Sequence, residues 1–208
     1  GTMTQPSLHA VVETSEGPAS WVSTPPRPWP SRVRLSAETP PEHVALVVHV
    51  LAVYNSVNEP NAAPLSLPAL AVETEAVLPG GLAAVTDAES IIPGCCSGLE
   101  EWREWHSLLD GSGSPFLGHD PAPYVEATPT GFIVWADGGL GEVRAEQTAQ
   151  IHFSPQRLAA ALAEVHADLR GFLRVLRAWC ARAVPAHAEG IVAAFAESFH
   201  ISDPRAGV

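Results

Sequence analysis

A chain of 208 residues, 46% of them hydrophobic and 16% charged, has the composition of a folded protein, because disorder goes with low hydrophobicity and high charge. One domain spanning 1–208 is the expectation at this length. A formal charge of −12 at pH 7 repels nucleic-acid phosphates and anionic lipid surfaces and attracts basic partners, so neither nucleic acid nor membrane is an expected ligand.

The opening segment, residues 1–38, holds a short apolar run from Leu8 to Val12 and then a proline-rich passage, Pro18 to Pro30, with Trp21 and Trp29 inside it. Proline fixes φ and removes a donor, so the passage reads as an extended N-terminal wrap and not as a helix or central strand. The compact core is expected over 39–208. Thr39-Pro40-Pro41-Glu42 forms a capping-box signature, and Val44, Val47, Val48, Leu51 and Tyr54 then follow at helical spacing, which predicts a helix over about 40–57. His49 within it reads as a core residue.

Apolar runs at Ala69 to Leu78 and Leu82 to Thr86, parted by Pro79-Gly80-Gly81, predict two strands and a turn. Further strands are expected at Ile91-Ile92, Tyr124 to Thr128, Phe132 to Ala136 and Gln150 to Phe153, with Pro129-Thr130-Gly131 as a hairpin turn. After Ser154 as cap and Pro155 in the first turn, Leu158, Leu162, Val165, Leu169, Phe172, Leu176 and Trp179 line up one apolar stripe of a long helix. The stripe stops short of the three or four heptads of a dimer seam, so inward packing and a monomer or weak dimer are expected. Pro185 interrupts it before a shorter helix marked by Ile191, Val192, Phe195 and Phe199. The fold class is therefore α+β: a mainly antiparallel sheet packed by one helix before it and a C-terminal helical pair. Arg170, Arg174 and Arg177 read as a solvated face near a helix C-terminus, where positive charge is favourable.

The segment from Ile91 to Glu126 is the most specified part of the chain. Ser97-Gly98-Leu99-Glu100 is a second capping box, placing Cys95 and Cys96 just outside a helix whose Leu99, Trp102, His106 and Leu109 share a face, with Trp105 beside them. Gly118-His119-Asp120-Pro121 is a proline-locked turn.

Four readings of this segment stay open. Cys96, His119 and Asp120 could form a nucleophile, base and orienter, although Glu100 and Glu101 would oppose a thiolate. Cys95, Cys96, His106 and His119 could bind zinc, although adjacent cysteines lack the usual gap between ligands. Trp102, Trp105 and Trp135 could line an aromatic pocket for a small molecule. In the plainest reading the cysteines are small buried hydrophobes and the tryptophans fill the core.

PGCCSGLEEWREW at Pro93 to Trp105 and LGHDPAPYVE at Leu117 to Glu126 resemble a pattern found in an uncharacterised protein family of high-GC bacteria, in which the stretch from Ile151 to Trp179 also recurs. The resemblance implies kinship and no activity. No cofactor motif is read, and the odd number of cysteines suits a reducing, cytoplasmic compartment. Acidic charge without a family-specific catalytic signature then points first to an interaction protein with a basic partner, most concretely an immunity-type antitoxin covering a bacterial toxin.

Overall fold

The structure is a computed structural model that describes residues 4–14, 29–56, 63–141 and 143–203. In chain order it runs β1 (Ser7–Glu13), β2 (Arg32–Arg34), α1 (Pro41–Tyr54), α2 (Leu67–Leu70), β3 (Gly80–Val85) and β4 (Ser90–Ile91). A 3₁₀ helix (Leu99–His106) leads into α3 (Ser107–Asp110), followed by β5 (Tyr124–Thr128), β6 (Gly131–Trp135), β7 (Gln150–Phe153), α4 (Pro155–Ala183) and α5 (Ala188–Ser198). The strands form two sheets, of order β2-β1-β3-β4 and β5-β6-β7, with antiparallel pairing of β3 with β4, β5 with β6 and β6 with β7. The class is α+β. Among the described residues no helix is long and apolar enough to cross a membrane.

The chain resolves into two compact units, each drawn from two stretches: Gly1–Val11 with Pro79–His166, and Val12–Leu78 with Ala167–Val208. The start of the expected wrap is in fact a sheet strand, because Leu8, Ala10 and Val12 of β1 are buried and alternation puts them on one face. The proline-rich passage lies largely outside the described residues.

In the unit containing Pro79–His166, β5 to β7 form a meander in which Phe132 pairs with Phe153 and Val134 with Ile151. The hairpin turn falls where proline and glycine placed it, closed by the Thr128–Gly131 pair. Ser154 caps α4 by accepting from the Arg157 amide at 3.1 Å. The capping box at Ser97 does not form: the helix begins after Gly98 with no side-chain cap and is 3₁₀ for eight residues. A 3₁₀ helix has about three residues per turn, so its buried face is every third residue. That face is Leu99, Trp102, Trp105 and Leu108, whereas His106 and Leu109 are exposed. The expected α-helical face is corrected accordingly.

In the unit containing Val12–Leu78, α1 is buried at every position from Val44 to Ala52, His49 included. A helix covered on all sides has no polar face to show, which is why its valine-rich sequence looked equally like a strand. Thr39 does not cap it; its hydroxyl accepts from the Ser36 amide at 2.9 Å and donates to the Arg34 carbonyl at 2.8 Å, closing the preceding turn. The strand expected over Ala69 to Leu78 is replaced by α2, with Ser66 as N-cap, and an irregular stretch bonded by side chains. Ala76 donates to Ser198 Oγ at 3.0 Å, and Asn55 both accepts from and donates to the Val77 backbone at 2.8 and 2.9 Å. These bonds satisfy the groups a sheet neighbour would have taken.

In the same unit, Leu169, Phe172 and Leu176 of α4 are buried, but the stripe closes on buried Cys180 while Trp179 is only half-buried. Phe172 meets Phe195 of α5, and Phe195 meets Phe199, at centroid distances of 5.4 and 4.5 Å. Arg177 is held by Asp203 at 2.8 Å and by Glu189 at 3.2 Å, leaving Arg170 and Arg174 as the exposed members of the basic stripe.

The 3₁₀ register makes a direct prediction from two adjacent leucines. Leu108→Ala should cost about 2–4 kcal/mol of unfolding free energy in urea, because it empties a buried site. Leu109→Ala, at 39% exposure, should cost under about 1 kcal/mol; the reverse order would mean that the buried face drawn through Leu99, Trp102, Trp105 and Leu108 is wrong.

Candidate thiol site

Two short irregular segments of one unit run antiparallel and build the site between them. The Gly94 amide donates to the Leu117 carbonyl at 2.8 Å, and Cys95 and His119 exchange both backbone hydrogen bonds, at 2.8 and 3.0 Å. This pairing requires glycine on both sides. A Cβ on Gly94 would lie 2.0 Å from the Pro121 carbonyl oxygen, and one on Gly118, where φ is +90°, would lie 2.5 Å from the Gly94 carbonyl. Further bonds fix the ends: Gly80 donates to the Ser97 carbonyl at 3.0 Å, and Asp137 accepts from the Ala122 amide at 2.9 Å.

The residue after each bridged partner is left-handed, Cys96 with φ 69° and Asp120 with φ 52°. In extended backbone adjacent side chains point to opposite faces; a left-handed residue breaks that alternation at a conformational cost for anything but glycine. The result is that neighbours in sequence become neighbours in space. Cys96 Sγ lies 3.2 Å from Cys95 Sγ and 3.2 Å from His119 Nε2, and His119 Nδ1 lies 3.0 Å from Asp120 Oδ2. Cys95 and Cys96 are exposed, which corrects the reading of these two as buried hydrophobes.

The electrostatics divide the two thiols. Hydrogen bonding from the Cys95 thiol and then from His119 holds Cys96 below the ordinary thiol value, while the same shared bond pushes Cys95 up. Asp120, then Cys96, raises His119. Of the two thiols Cys96 is thus the more readily ionised and Cys95 the one that holds its proton more firmly, while Asp120 and Cys96 both favour the charged imidazole. Glu100 and Glu101, expected to oppose a thiolate, are not among the causes of the Cys96 shift; the Glu100 carboxylate folds over Gly98. The third cysteine, Cys180, is buried and its thiol is pushed up to about 12, so it is chemically quiet.

Cys95, Cys96 and His119 bring one donor atom each within 4.8 Å of one another and could hold a metal ion, with Asp120 as the carboxylate behind the histidine. A tetrahedral zinc dithiolate spaces its sulfurs at about 3.7 Å, so the observed 3.2 Å sulfur–sulfur contact would have to open to admit the ion. His106 is not part of this group; it is exposed, edge-on to Trp102 at 5.7 Å. Trp102 and Trp105 are buried in the core, and Trp135 is nearly so, with its indole donating to Glu126 at 2.8 Å. These three side chains are part of the buried core.

The sequence named the residues that meet here but not the contact between them. Its one local signal was a glycine directly before each reactive pair, Gly94 before Cys95-Cys96 and Gly118 before His119-Asp120. Comparison of the chain with protein-family models, curated proteins and solved structures finds no match.

Gly94→Ala removes no reactive side chain yet pushes directly against the Pro121 and His119 carbonyls. Iodoacetamide alkylation of Cys96 at neutral pH should slow by about fivefold or more in this variant, since His119 is displaced. The circular dichroism spectrum should be retained; an unchanged alkylation rate would show that the backbone bridge does not set the thiol's reactivity.

Proposed function

We propose that the protein is a thiol-dependent enzyme in which Cys96 is the nucleophile, His119 the general acid and base, and Asp120 a positioning residue. The observation that carries this reading is the continuous relay from Asp120 Oδ2 through both nitrogens of His119 to Cys96 Sγ, at 3.0 and 3.2 Å. A nucleophile within hydrogen-bond reach of a base that a third group orients is the arrangement covalent catalysis uses. Exposure of the thiol lets an electrophile reach it, and the left-handed backbone at Cys96 holds it there at a cost in strain.

The pH dependence follows from the directions of the shifts. Cys96 is lowered, so its thiolate persists below the ordinary thiol value of about 8.5, and His119 is raised, so its imidazolium persists above the ordinary histidine range. The two shifts bring the thiol and imidazole titrations toward one another, the direction that favours a thiolate–imidazolium pair. The alkylation rate of wild type should reach half its maximum below the ordinary thiol value, and His119→Ala should move that midpoint upward by about one unit or more. Superimposable profiles for the two proteins would sink the assignment.

A second reading rests on charge. At −12 the chain complements a basic partner such as a toxin or nuclease, and an immunity-type, cytoplasmic interaction protein would use that field to speed encounter. Capture of such a partner should then fall by about tenfold or more in association rate between low and physiological salt. A salt-independent rate would remove the electrostatic argument.

A further inference from the structure

The nucleophile reading leaves one reactive group without a task. Acyl or alkyl transfer needs a single thiol, and an exposed second thiol in contact with the first would only compete with it. Cys95 Sγ sits 3.2 Å from Cys96 Sγ, in the place of a group that attacks Cys96 once its sulfur has become electrophilic. Sulfur becomes electrophilic by oxidation to the sulfenic acid, which condenses with a neighbouring thiol. Low-pKa, accessible cysteines beside a resolving cysteine have this chemistry.

Resting on the assignment of Cys96 as nucleophile, we infer that the electrophile is a hydroperoxide and that Cys95 is the resolving thiol of a vicinal dithiol peroxidase. A neutral hydroperoxide approaches an acidic protein without the repulsion a phosphate or carboxylate would meet. Cys96 thiolate attacks the terminal peroxide oxygen; the S–O bond forms, the O–O bond breaks, and the departing alkoxide or hydroxide takes the proton of the His119 imidazolium. Cys95 then gives its proton to His119 and its sulfur attacks Cys96 Sγ. The S–S bond forms, the S–O bond breaks, and hydroxide leaves with that proton as water. Two thiol sulfurs are oxidised, two peroxide oxygens are reduced, and one alcohol (or water) and one water are released. The donor atoms of Cys95, Cys96 and His119 all lie within 4.8 Å of one another, so both proton transfers fall within one cluster.

The product disulfide is built to be temporary. Adjacent Cα atoms are about 3.8 Å apart across a trans peptide, below the usual 4.4–6.8 Å span of a relaxed disulfide, and strain makes such a bond easier to reduce. An external dithiol can therefore return the pair to its starting state. Cys180, buried with its thiol pushed up to about 12, takes no part and leaves the readout clean.

The test is hydrogen peroxide added to the full chain, followed by intact mass and thiol counting, with Cys95→Ser and His119→Ala alongside. Wild type should lose two accessible thiols and the mass of two hydrogens, and recover both with dithiothreitol. Cys95→Ser should stop at a sulfenic acid on Cys96 that dimedone traps. His119→Ala, which keeps both thiols, should consume peroxide at least about tenfold more slowly. If Cys96 alkylates rapidly but peroxide leaves both thiols intact, or drives Cys96 to the sulfinic acid without a disulfide, the resolving role is overturned while the nucleophile stands. Failure of both alkylation and oxidation would overturn both.

Discussion

Everything distinctive about the site depends on one close approach of backbone to backbone. Cys95 and His119 exchange two hydrogen bonds only because Gly94 and Gly118 present no Cβ where the facing chain passes. A single bridge of this kind would be weak in isolation, since each hydrogen bond nets only about 1 kcal/mol. Here it is enclosed by anchors at Ser97 and Ala122, the first tied to the start of β3 and the second to Asp137. The ends are therefore held by the fold, and the bridge has only to choose the register between them. A register shifted by one residue would turn Cys95 and His119 to opposite faces.

From that register the chemistry follows with little further help. Both partners are followed by left-handed residues, so each contributes two adjacent side chains to one side of the bridge. The imidazole then lies between a carboxylate and a sulfur. Because the groups are open to water, their mutual stabilisation is screened and modest. The contrast with Cys180 is instructive: burial first, and then the Glu189 carboxylate, push that thiol far up, whereas Cys96, with partners and water, goes down.

Much of the fold was legible in the sequence where periodicity and breakers agreed. The meander β5 to β7, the turn at Pro129-Thr130, the Ser154 cap and the break at Pro185 all follow from local chemistry, and all are observed. Three features were not legible from periodicity and capping signals alone. The Ala69 to Leu78 stretch gives its hydrogen bonds to Asn55 and Ser198, far away in sequence. Thr39 spends its hydroxyl on the turn before α1 instead of capping it. The Leu99–His106 segment winds as 3₁₀, so a face drawn at 3.6 residues per turn included His106 and Leu109 and missed Leu108. At the site, Cys95, Cys96, His119 and Asp120 were all named from residue type, but the contact across 23 residues between Cys96 and His119 has no sequence signature other than the paired glycines.

The same constraint explains why structure and reactivity can coexist in so short a segment. Trp102 and Trp105 bury one side of the polypeptide that begins at Gly98, with Arg103 stacked 4.4 Å above Trp102, and large buried aromatics of this kind carry several kcal/mol of packing each. The segment is thus immobilised by its downstream half. The upstream half, Gly94 to Cys96, contributes no large side chain to the core and is ordered by backbone bonds alone. Strain at Cys96 is therefore sustained by groups outside the thiol cluster, and under the proposed chemistry the sulfurs would change partners without disturbing the packing that holds them. A site assembled from buried side chains would have to repack at each change of oxidation or protonation state; one assembled from backbone pairing at the surface does not.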